Sequence, residues 1–131
     1  MTQDNNHAIE NAVNWYQSIS ELIQGVNNDG GENNDDTYNE IMESPLSIEV
    51  RCDWHTPGDG DDKPTEYLIL LTTGGPALRI IGDLDEHMRP CSSKLQWQDW
   101  GTPWTTIWSK DNVSIDEDML LTYARYFWYG D

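Results

Sequence analysis

The sequence predicts an α+β fold: a four- to five-stranded, mainly antiparallel sheet packed with an N-terminal and a C-terminal helix, in a single domain over residues 1–131. Three observations predict it. Apolar residues recur every three or four positions near both ends of the chain, and they alternate at period two through the middle. A chain of 131 residues can bury about two-thirds of its unfolded surface, enough for one core.

The first element spans residues 8–26, where Ile9, Ala12, Val13, Tyr16, Ile19, Leu22, Ile23 and Val26 form one apolar stripe on a helix that Gly25 and the following asparagines end. Residues 27–36, NNDGGENNDD, hold nothing suited to a core and predict an acidic loop, with its influence reaching to residue 38. Thr37 and Glu40 then have capping-box spacing, with Tyr38, Ile41 and Met42 on one face and Pro45 closing a short second helix.

From Leu46 the period becomes two. Leu46, Ile48, Val50 and Cys52 alternate with Ser47, Glu49, Arg51 and Asp53, which predicts a strand over 46–54 with the first set buried. Residues 55–65, within HTPGDGDDKPTE, form a second acidic loop rich in proline and glycine. EYLILLTT (66–73) and ALRIIGDL (77–84), separated by Gly74-Gly75-Pro76, predict a hairpin of central strands. LQWQDW (95–100) and WTTIW (104–108) supply a further strand or two. Ser114 and Glu117 form another capping box, opening a final helix of about 14 residues through Met119, Leu120, Tyr123, Ala124 and Phe127.

Charge is the outlying property. The chain carries 24 Asp and Glu against 7 Lys and Arg, a formal net charge of −17. Residues 1–66 hold 15 acids and 2 bases, residues 67–131 hold 9 and 5, so the excess is concentrated in the first half. Such a chain repels nucleic acid and anionic membranes, and its natural partners are basic. Seven Trp and six Tyr argue for a folded protein rather than a disordered acidic tail. No apolar run approaches the roughly 20 residues of a membrane span, and MTQDNNHAIE lacks the pattern of a secretory signal, which predicts a cytoplasmic protein with reduced Cys52 and Cys91.

Catalytic motifs are not found: there is no nucleophile elbow, no P-loop and no glycine-rich nucleotide turn, so a non-enzymatic role without cofactor is expected. Asp29 to Glu40 has the length of an EF-hand loop, yet Gly31 and Asn34 stand where a ligand and a glycine are needed. Cys52, His55, His87 and Cys91 hold the ligand types of a zinc site, but 31 residues separate Cys-x-x-His from His-x-x-x-Cys. They define the alternative of a metal-stabilised accessory protein. The tryptophans Trp97, Trp100, Trp104 and Trp108 fit core packing best, and any left exposed would anchor an interface, as in a virion assembly module.

The residues expected to meet a partner are Asp35, Asp36, Glu40, Glu43, Glu49, Asp53, Asp59, Asp61 and Asp62. Helical carboxylates three or four residues apart stand about 5–6 Å from each other, and alternate strand positions about 6.6 Å, spacings that suit phosphate-binding Lys and Arg. TTGGPALRIIGDL (72–84) and LQWQDWGTPW (95–104) resemble segments of small phage- and prophage-encoded proteins, and the size and charge are similar to those of anti-CRISPR proteins. With the charge, the resemblance implies a phage inhibitor acting in the cytoplasm of the bacterial host to evade its defence. It would be a DNA mimic on a basic nucleic-acid-binding host protein, a CRISPR effector subunit, with no direct contact to nucleic acid or membrane.

Overall fold

A computed structural model describes residues 2–28, 34–58, 63–73, 76–99, 102–110 and 113–130. Their order is α1 (Thr2–Asn28), α2 (Asn34–Glu43), β1 (Ser47–Arg51), β2 (Glu66–Thr72), β3 (Ala77–Asp83), β4 (Lys94–Gln98), β5 (Thr105–Thr106), β6 (Ser109–Lys110), β7 (Val113–Ser114) and α3 (Glu117–Ala124). The fold is α+β. Strands β1 to β5 form one antiparallel sheet in sequential order, and β6 and β7 form a separate two-stranded ribbon.

The register explains the core. Ile48 lies opposite Ile69, Ile69 opposite Ile80, and Ile80 opposite Leu95, so one apolar row crosses four strands. Ile69, Ile80 and Leu95 are fully buried beneath the stripe of α1, which contributes Ala12, Tyr16, Ile19 and Ile23. The helices α1 and α3 make their sheet contacts chiefly with β4. The expected β2–β3 hairpin is present, with Tyr67, Ile69 and Leu71 pointing inward and Leu68 and Leu70 only half-buried on the other face. Gly82 is required by a close approach: a Cβ there would lie 1.9 Å from the Ser92 carbonyl oxygen. No helix among the described residues is long and apolar enough to cross a membrane.

Several boundaries differ from the sequence expectation. The first helix begins at Thr2 and runs through Asn28, so Gly25 lies inside it, facing Thr37. The second begins at Asn34, which puts Thr37 in its body rather than at a cap and converts Asp35 and Asp36 from loop to helix. Acids in a first turn favour this extension because they face the positive end of the helix dipole. The expected acidic loop over 27–38 is therefore helical at both ends.

The last helix is shorter than expected. Its N-cap is Asp116, whose side chain accepts from the Asp118 N–H at 3.0 Å, while Ser114 belongs to β7. It stops at Ala124, after which the chain tightens into turns in which the Tyr126 N–H donates to the Tyr123 carbonyl; Phe127 and Tyr129 are buried, Trp128 is exposed, and the Tyr129 hydroxyl donates to the Ala124 carbonyl at 2.6 Å. Tyr129 also packs on Tyr67, with ring centroids 5.1 Å apart.

Candidate partner-binding surface

Helix α2 is held by its apolar side and presents its acids on the other. Ile41 is fully buried, Tyr38 packs against Tyr126 with ring centroids 5.8 Å apart, and Ser44 ends the helix by donating its hydroxyl to the Ile41 carbonyl at 2.6 Å. The same hydroxyl shares a 2.7 Å hydrogen bond with Tyr123 of α3. Burial pushes the Tyr123 phenol up to about 12, so it stays neutral and hydrogen-bonded at ordinary pH. These contacts fix the rotation of α2.

With that rotation set, helix geometry places the acids. Successive residues turn by about 100°, so Asp36, Glu40 and Glu43 fall within an arc of about 60° on the side opposite Ile41. All three are exposed, and among the described residues none meets a cationic side chain. Asp35 lies on the same helix. The arrangement works against stability: neighbouring like charges repel by about 0.2–0.5 kcal/mol per pair, and Glu43 sits at the negative end of a helix whose last turn has no base.

The other expected residues are placed differently. Glu49 is on β1, on the sheet face turned away from the helices, where it lies opposite Leu68 and lines a shallow groove of about 170 Å³ with Arg51, Glu66, Arg79 and Ile81. Beside it, Arg51 donates to both Glu66 oxygens at 2.7 and 3.0 Å, and this bidentate pair holds the Glu66 carboxyl below its usual range. The strand ends at Arg51, so Asp53 does not share its face; Asp53 accepts instead from the Thr65 hydroxyl at 2.9 Å. Asp59, Asp61 and Asp62 lie outside the described residues.

The expected burial along β1 is corrected. Only Ile48 is covered in part, whereas Leu46 and Val50 are 60% and 42% exposed and Cys52 is exposed. Position explains this, because β1 is the sheet edge farthest from β4, over which the helices sit. Sequence reasoning missed the resulting series of exposed apolar residues, Met42, Leu46, Val50 and Trp54, the last fully exposed. A signal was available: a short strand between a proline and a long polar loop reads as an edge.

The tryptophans divide. Trp97 is buried, the Arg79 guanidinium lies 4.1 Å above the Trp104 ring, and Trp108 is exposed, while Trp100 is outside the described residues. Cys52 and His55 follow β1 and His87 and Cys91 lie in the β3–β4 connection, all exposed, and no three His, Cys, Asp or Glu side chains among the described residues are grouped to hold a metal. The zinc constellation therefore finds no support in the fold. In that connection Asp85 instead shapes a turn, accepting from the N–H groups of His87 at 2.8 Å and Arg89 at 3.0 Å, which hold its carboxyl below the usual range. Comparison with protein-family models, curated proteins and solved structures finds no match for this chain.

Proposed function

We propose that the protein is an acidic decoy that docks on the basic nucleic-acid-binding surface of another protein and excludes DNA from it. The observation that carries the reading is the arc of Asp36, Glu40 and Glu43 on a helix whose rotation is fixed by Ile41 and Ser44. Carboxylate side chains whose Cβ atoms stand about 5–6 Å apart on a rigid element offer Lys and Arg what a phosphate backbone offers. Their mutual repulsion in the unbound chain is relieved when a basic surface neutralises them. The net charge of −17 steers such a partner from a distance and repels nucleic acid itself. Within this reading the target is a CRISPR effector subunit of a bacterial host and the protein a phage-encoded inhibitor.

The test is a gel-shift competition in which purified CRISPR effector complexes bind target DNA with and without the protein, at low and high salt. Inhibition at low salt that fades as salt rises, and that is lost in the triple variant Asp36→Lys, Glu40→Lys, Glu43→Lys, is the expected result. Full inhibition by that variant would remove α2 from the site, and DNA binding unaffected in every complex would end the CRISPR assignment.

A further inference from the structure

The groove on the uncovered face of the sheet holds charges of both signs, and they are not satisfied alike. Arg51 and Glu66 neutralise each other through their bidentate pair. Glu49 and Arg79 remain, and among the described residues neither forms an ion pair. Solvation separates these two: Glu49 is exposed, whereas Arg79 is half-buried, and its burial, followed by the charge of Arg51, lowers its pKa from the ordinary arginine value. Water already solvates the carboxylate. The half-buried cation is the group that gains from a counter-ion.

Arg79 is also held in position. Its Nε donates to Gln96 Oε1 at 2.8 Å, the Gln96 amide nitrogen donates to the Thr106 hydroxyl at 3.1 Å, and the guanidinium lies 4.1 Å above the Trp104 ring. Gln96 is buried on β4 and Trp104 is half-buried just before β5, so both the edge and the face of the guanidinium are fixed. Its terminal nitrogens have no acceptor among the described residues. A planar fork fixed at Nε and on one face keeps its terminal edge for a ligand, and that edge matches the two oxygens of a carboxylate.

The rest of the groove narrows the ligand. Leu68 and Ile81, both half-buried, give it an apolar floor. Its volume of about 170 Å³ lies below the roughly 300–1,000 Å³ of sites for drug-sized molecules, too little for a nucleotide. Glu49 on its wall and the net charge of −17 disfavour a doubly charged ligand such as phosphate more than a single charge. The geometry points to a binding site for a small apolar monocarboxylate, whose oxygens take the terminal edge of Arg79 and whose hydrocarbon part covers Leu68 and Ile81. A free acid and the C-terminal carboxylate of a peptide ending in an apolar residue share this chemistry. The site is independent of docking through α2.

The probes are 4-methylpentanoate and the peptide N-acetyl-Gly-Gly-Leu with a free C-terminus, each compared with its amide and with inorganic phosphate. They are titrated into the full chain while NMR follows the backbone amides, the Arg79 Nε–Hε and the Trp104 indole. The expected result is saturable binding of a carboxylate, with shifts centred on residues 66–68, 79–81 and 96. Binding should weaken by about tenfold or more for the amides, for phosphate and in the variant Arg79→Gln. Binding of 4-methylpentanoate identifies a small-molecule ligand, and binding of the peptide alone identifies a chain terminus. Should the variant misfold, the wild-type Arg79 resonance decides, since it must move with a carboxylate and stay still with its amide. No saturable binding of either carboxylate, an amide or phosphate binding as tightly, or shifts centred away from this groove would each overturn the site.

Discussion

Strands β1 and β2 are neighbours with the same alternating pattern and opposite fates. Tyr67, Ile69 and Leu71 of β2 disappear into the core, while Leu46 and Val50, in the equivalent phase of β1, remain in water. The difference teaches that alternation encodes a strand and sorts its residues onto two faces, but burial is decided by what lies across the sheet. Here the helices favour β4, and their cover runs out before β1.

The comparison can be broken most directly by truncating each side. Ile80→Ala, in the fully buried row, should cost about 2–5 kcal/mol, whereas Val50→Ala should change stability by no more than about 0.5 kcal/mol; denaturant unfolding measures both. Equal losses would mean that β1 is covered in solution. Gly82→Ala should destabilise by roughly 1–3 kcal/mol, since the new methyl meets the Ser92 carbonyl and backbone must move. Asp116→Ala removes the cap of α3 and should cost about 1 kcal/mol in the same assay.

Alkali probes the covered side through its phenols. Burial raises Tyr67, Tyr123 and Tyr129 above the ordinary value near 10. A raised folded pKa contributes stability that is complete below the unfolded value and lost as pH climbs through the folded one. Unfolding should therefore set in above about pH 10, with phenolate absorbance and loss of near-UV dichroism rising together; phenolates formed in a still-native chain would contradict the burial of these rings. The smallest effect belongs to the exposed side. Neutralising the arc in the variant Asp36→Asn, Glu40→Gln, Glu43→Gln should keep or slightly gain stability, by a few tenths of a kcal/mol per relieved pair, and a clear loss would mean that the acids have partners in the folded chain.

Much of this architecture was legible in the residues. The stripe of α1, the hairpin of β2 and β3 and the strand at Leu95 all carry periodicities that tertiary contacts only reinforce. What escaped was decided at a distance. The first turn of α1 has no apolar stripe to mark it, and α2 begins among asparagines and aspartates that read equally as loop. α3 ends early where Tyr129 has a ring partner, Tyr67, that lies elsewhere in the fold, on β2. For the candidate surface the residue types were readable and their grouping was not. Asp36, Glu40 and Glu43 share an arc because helical spacing demands it, while Glu49 went to the far face of the sheet and Asp53 fell beyond the strand.

The row of Ile48, Ile69, Ile80 and Leu95 also works as a ratchet pawl. If β1 slid by one residue to hide its oily margin, Ile48 would swing out to solvent and Glu49 would be driven toward the hydrocarbon interior, a penalty far larger than the relief gained. The molecule is thereby barred from healing its own rim, and Leu46 and Val50 stay on offer for as long as the protein is folded.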